Sequence, residues 1–151
     1  MAFFHVYNLS GGRPLILEIT AKDTESLHEG DMLNVETGEA DLAATNDTAF
    51  MGVLVSASDP ASYTRIAGAT YGTINAVDST TVLKAVANPD AVYTDRVTGT
   101  ARLAGVQLDI AGATAAQVLA TDSNHDFNVI KSVTSSEEPL VIFVQAETYL
   151  Y

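Results

Sequence analysis

The densest run of potential ligands in the chain is Asp122-Ser123-Asn124-His125-Asp126, which alternates carboxylate and amide oxygens. Calcium takes roughly six to eight oxygen ligands, and the run opens like a calcium-binding hand loop. Such a loop needs glycine at its sixth position and glutamate at its twelfth, where this chain has Phe127 and Val133. An Asx-rich turn leading into a strand accounts for the same residues, so no metal is assigned. His28-Glu29 begins like the helical zinc-protease pattern, but Met32 stands where the second histidine belongs. His5, His28 and His125 are far apart in sequence and read as surface or interface residues.

Nucleophilic chemistry is no better supplied. No Gly-x-Ser-x-Gly elbow occurs. Gly11-Gly12-Arg13-Pro14 lacks the Lys and Ser/Thr with which a phosphate loop holds phosphate and magnesium. Without cysteine there is neither a disulfide framework nor a thiolate zinc site. Without tryptophan, a sugar-stacking platform would fall to Tyr63, Tyr71 and Tyr93, which read more simply as core or rim residues. Asn8-Leu9-Ser10 and Asn46-Asp47-Thr48 match the glycosylation pattern but lack a secretory context. The expectation is a non-enzymatic protein with no catalytic residues, cofactor or metal.

The elements that would carry any site are short strands. Leu15–Thr20 alternates, with Leu15, Leu17 and Ile19 on one face. Met32–Val35, Ala40–Ala44, Tyr71–Val77, Thr81–Ala87, Ala91–Arg96, Phe127–Val133 and Leu140–Val144 follow the same style, separated by Gly, Asn, Asp and Pro turns. Phe50–Val55 is apolar throughout, as a central strand buried on both faces would be. Arg102–Ile110 reads as the clearest strand. Helical candidates are a turn from Asp23-Thr24 to Leu27, Ala61–Arg65 behind Asp59-Pro60 and, best of them, the alanine-rich Ala113–Ala120. The fold class is therefore all-β with one or two short helices, a β-sandwich or β-barrel. Residues 1–14 read as an N-terminal arm or edge strand, because Gly11-Gly12 and Pro14 interrupt the pattern. Residues 15–151 form one β-rich domain.

The chain has 151 residues, a net charge of −12, 47% hydrophobic residues and only seven Lys and Arg. A packed core is within reach, and disorder is not. Nucleic-acid binding requires cations to displace condensed counterions, and no run of three basic residues exists. Neither nucleic acid nor an anionic membrane is an expected partner. No apolar run is long enough for a membrane span, and Met1–Asn8 lacks the basic start of a signal peptide.

One segment resembles a known family. Glu29-Gly30-Asp31-Met32-Leu33-Asn34-Val35, then Thr37-Gly38-Glu39-Ala40, Asn46-Asp47 and Phe50-Met51-Gly52-Val53-Leu54 are similar to the capsid decoration, or cement, proteins of tailed bacteriophages. The resemblance covers about 25 residues closely and the rest in composition. It implies a virion structural protein, made in the host cytoplasm. Such a protein binds the outer surface of the capsid, with the major capsid protein as partner, and stabilises it against internal DNA pressure as a homotrimer. A ligand- or carbohydrate-binding β module is the alternative. For partner binding, the aromatic and apolar residues near the termini are the expected contacts: Phe3, Phe4, Val6, Tyr7, Tyr149 and Tyr151.

Overall fold

The computed structural model describes residues 3–57, 63–65, 72–74, 80–114, 116–120, 126–144 and 148–149. In chain order the first strands are β1 (Phe4–Asn8), β2 (Ile16–Thr20), β3 (Leu27–His28), β4 (Met32–Glu36), β5 (Glu39–Leu42), β6 (Phe50–Ala57) and β7 (Tyr63–Arg65). They are followed by β8 (Gly72–Ile74), β9 (Val82–Val86), β10 (Ala91–Thr94), β11 (Gln107–Ala111), β12 (Val118–Ala120), β13 (Phe127–Val129) and β14 (Val141–Phe143). A six-stranded antiparallel sheet runs β1-β10-β14-β13-β11-β12, and a five-stranded one runs β2-β9-β6-β4-β5. The two pack together as an open sandwich with no closed barrel. A small sheet, β3-β8-β7, completes the described strands.

Burial explains which residues became central. One cluster fills the space between the two large sheets, with Met32, Phe50 and Val53 meeting Tyr93, Leu108, Phe127 and Phe143. Its aromatics are in direct contact: Phe127 lies 4.8 Å from Phe143, which lies 5.4 Å from both Phe50 and Tyr93 between ring centroids. The opposite face of the five-stranded sheet buries Leu33, Met51, Leu54 and Leu83 with Leu27 of β3. Hence β6 is apolar on both faces, as its sequence indicates. Gly52 is required there because β6 and β9 touch: a Cβ at Gly52 would fall 1.7 Å from the Val86 carbonyl oxygen.

The two large sheets are joined by a double corner. β9 belongs to one sheet and β10 to the other, so Asn88-Pro89-Asp90 crosses between them. β1 and β2 make the same crossing alongside, through residues 9–15. The Leu9 amide donates to the Asp90 carbonyl (3.0 Å), and the Ser10 amide to the Asp90 carboxylate (2.8 Å). Further along, the Leu15 amide donates to the Asn88 side chain and the Ala87 amide to the Leu15 carbonyl. Within this N-terminal segment Phe4–Asn8 is a strand at the end of its sheet: β1 pairs with β10 from Phe4↔Thr94 to Asn8↔Ala91.

The helical expectations are corrected, since the described residues contain no helix. Of the stretch expected to be helical, Val118–Ala120 is instead the second strand of a hairpin, with Ala111↔Val118 and Asp109↔Ala120 paired. Alanine propensity is a weak preference. Here it is outweighed by burying Leu119 and Gln117 and by Gly112, whose φ of +105° lets the chain fold back. Tyr63–Arg65 is a strand, not the end of a helix, whereas Ala61 lies outside the described residues. Asp23-Thr24 forms a turn, with Thr24 at φ +69°, and Leu27 enters β3. The Arg102–Ile110 strand begins only at Gln107, because Ala104-Gly105 turns and the Val106 amide donates to the Leu103 carbonyl.

Candidate functional site

The flank built by the double corner exposes a run of apolar side chains. β1 ends the six-stranded sheet and β2 ends the five-stranded one, although the chain just after β2 bridges to β5 at Ala21↔Ala40. Val6, Tyr7, Leu9, Leu15 and Ile16 are all exposed there, Leu9 by 55%. A register shift in β1 between His5 and Tyr7 leaves Val6 as an extra residue. Such a bulge disrupts alternation, and the successive side chains Val6 and Tyr7 both face solvent. Unpaired edges with apolar side chains are hazards unless something covers them.

Charge sets this flank apart. None of the nineteen Asp and Glu falls within residues 1–17. Arg13 is exposed on the corner, and Arg96 stacks its guanidinium 3.8 Å from the centre of the Phe4 ring. Asp90, the nearest acid at the corner, is held below its ordinary carboxylate range by the Ser10 hydrogen bonds.

Behind β1 lies a cleft of about 260 Å³. β1 and the residue before it contribute Phe3, Phe4 and His5, and the turn before β4 contributes Glu29 and Gly30. Val53, Leu54 and Val55 of β6, with Val86 of β9, form its floor. Val55 also sits at a register shift, between Leu54 and Ser56, and is exposed. His5 and Glu29 are the only ionisable side chains in the lining, and His5 Nε2 is already hydrogen-bonded to Asn8 Oδ1 at 2.8 Å.

Buried polar groups elsewhere act as backbone partners. Asp31 accepts from the His28 amide (2.8 Å), and Asp126 from the Ile110 amide (2.9 Å). Asp95 accepts from Val97 (3.0 Å) and Leu119 (2.8 Å). Gln117, wholly buried, accepts from the Met32 amide and donates to the Met32 and Ala43 carbonyls. Each supplies a bond that a ladder would otherwise make. These groups were not legible as sites in the sequence, because a buried carboxylate that substitutes for a ladder looks like any surface acid.

The residues singled out from sequence separate accordingly. Phe3 is only 1% exposed and stacked 5.6 Å from Phe127, so it packs into the core, and it also lines the cleft. Phe4, Val6 and Tyr7 come together on the flank. Tyr149 is exposed next to β6, its amide donating to the Phe50 carbonyl, so it lies apart from the cleft-lining residues. Tyr151, His125 and Asp122 fall outside the described residues. Tyr93 is core: its hydroxyl donates to the Val86 carbonyl (3.2 Å) and burial raises its pKa. His28 is buried, its ring against the Glu29 carbonyl and Met32 in the core. Among the described residues, no three His, Cys, Asp or Glu cluster as metal ligands would. Leu9, Leu15 and Ile16 were missed, because only the double corner reveals that they share a side with β1. No protein-family model matches the chain, and no curated protein matches it either.

Proposed function

We propose that the chain is a non-enzymatic structural protein that binds the exterior of a bacteriophage capsid and reinforces it, with the major capsid protein as its partner. The observation that carries this reading is the N-terminal flank: the terminal strands of two sheets, five exposed apolar side chains and no acidic residue through position 17, on a chain of net charge −12. A surface of that kind suits protein association. The turn-and-strand segment from Glu29 to Leu54 that carries the decoration-protein resemblance also supports it. In the fold that segment forms the β4–β5–β6 core of the five-stranded sheet. The homotrimer belongs to the same proposal, as closed symmetry covers exposed patches without propagating. The shallow cleft offers little for carbohydrate, which needs several convergent polar groups.

The test is co-sedimentation with capsids assembled from a major capsid gene neighbouring its coding sequence. Saturable binding at a fixed ratio to capsid subunits, together with raised capsid resistance to heat or chelator, is the expected result. Protein that stays in the supernatant refutes the reading.

A further inference from the structure

We propose that the ribbon formed by residues 96–106 and 129–135 is a docking arm for a second copy of this chain, seated head-to-tail on the acidic body of its neighbour. The first segment links β10 to β11 and the second links β13 to β14, so the two pair beyond the ends of those strands. Arg102 and Val133 exchange backbone bonds (3.1 and 2.9 Å). The Gly99 amide donates to the Ser135 carbonyl (2.7 Å), and the Gly105 amide to the Val129 carbonyl (2.8 Å). Residues 96–101 and 103–106 are nonetheless exposed, as are Lys131, Ser132, Thr134 and Ser135. Leu103 and Val106 flank one tight turn, in which the Val106 amide donates to the Leu103 carbonyl. At 66%, Leu103 is the most exposed large apolar side chain among the described residues, and Val97 and Val106 are exposed on the same ribbon. A backbone bonded to itself while its apolar side chains face solvent suits association.

Charge names the occupant. Residues 96–108 and 127–136 hold Arg96, Arg102 and Lys131, three of the seven cations, and no Asp or Glu. The remainder carries four cations against all nineteen acids. Glu137 and Glu138 follow the ribbon, and Glu137 is folded back to accept from the Thr134 amide (2.8 Å). Arg96 lies over the Phe4 ring at the base of the arm, and Arg102 donates to the Leu119 carbonyl (3.5 Å), which leaves Lys131 as the charge to test. Each copy thus carries a basic arm and an acidic body. Two arms face to face would oppose cations, whereas arm on body pairs opposite charges. Such a contact is heterologous, and it closes into a ring when the rotation between copies allows. The net charge of −12 opposes approach at long range, but physiological salt screens it beyond about 8 Å, so local pairs decide the contact. The count of three copies rests on the capsid reading; the contact itself does not.

Sedimentation equilibrium of the full chain at physiological salt, from micromolar to millimolar protein, is the first measurement, and reversible association is expected. Lys131→Glu and Leu103→Asp should each weaken that association at least about tenfold, as loss of a contact residue does. Both should leave the melting temperature within a few degrees, because both side chains are exposed. In a mixture of isotopically light and heavy chains, a zero-length carbodiimide cross-linker should join Lys131 of one copy to an Asp or Glu in the body of another. A chain that stays monomeric at millimolar concentration overturns the proposal. So do variants that associate as the unaltered chain does, and Lys131 cross-links that reach only Glu137 or Glu138. Capsid co-sedimentation separates the two readings: copies that associate through the arm yet fail to bind a capsid refute the capsid reading alone.

Discussion

Gly52→Ala probes the closest approach in the sandwich. Gly52 has φ +147°, and an added Cβ would sit 1.7 Å from the Val86 carbonyl oxygen and 2.7 Å from its carbonyl carbon. Ordinary contact needs roughly 3.5 Å, so β6 and β9 must separate locally by about 1.8 Å. The obstacle is backbone, which cannot swing aside as a side chain would. Overpacking costs about 1–3 kcal/mol, the disfavoured φ about 1–3 kcal/mol, and each ladder bond lost beside Val53↔Val86 about 1 kcal/mol. With one such bond lost these come to about 3–7 kcal/mol, against a stability of about 5–15 kcal/mol for a domain. At about 2–4 °C per kcal/mol the melting temperature should fall by about 6–28 °C. Gly38→Ala is the control: it shares a positive φ of +90° but has nothing within 4 Å of the added Cβ. It should lose only about 1–2 kcal/mol. Guanidinium melts of both variants decide the matter. If Gly52→Ala falls within about 1 kcal/mol of Gly38→Ala, the close contact of β6 and β9 is wrong.

Phe3→Ala should lose about 3–5 kcal/mol in the same melts, as a core aromatic does; a near-neutral change would restore a detached arm. Gln117→Leu strips partners from the Met32 amide and the Met32 and Ala43 carbonyls, and should lose about 2–4 kcal/mol. Asp90 has its folded pKa lowered below 3.8, chiefly by its Ser10 hydrogen bonds. Its contribution is present above that ordinary value and is lost as pH falls through the folded one. Asp90→Asn should therefore lower the neutral plateau slightly and flatten the acid limb of the stability curve. Lys22, bonded to Glu36 and Asp41 on the surface, should be replaceable by Met with little change in melting temperature.

Period-two patterning made the strands legible, as in Ile16–Thr20 and Val82–Val86, and the apolar run at 50–55 announced a strand buried on both faces. Patterning failed where distant contacts decide the local structure. Ala113–Ala120 carries helical composition, but Gln117 bonds to Met32 and Ala43, and the Leu119 amide donates to Asp95. Nothing within eight residues of sequence announces those partners. The flank was half legible. Phe4, Val6 and Tyr7 stood out by type, whereas Leu9, Leu15 and Ile16 joined them only through the hydrogen bonds around Asn88 and Asp90. Phe3 packs into the core beside its exposed neighbours, since an aromatic near a terminus looks the same in sequence whether it points into the core or out.

Hydrogen exchange of the capsid-bound protein tests the central claim most directly. Backbone amides of β1 that do not bond to β10 should slow by about tenfold or more on the capsid relative to the free protein, as newly paired edges do. The amides of β11–β12, at the far edge of the six-stranded sheet, should not change. Protection that appears on β5 or β12 while residues 4–16 exchange as they do in the free protein would contradict a docking flank at the N-terminus.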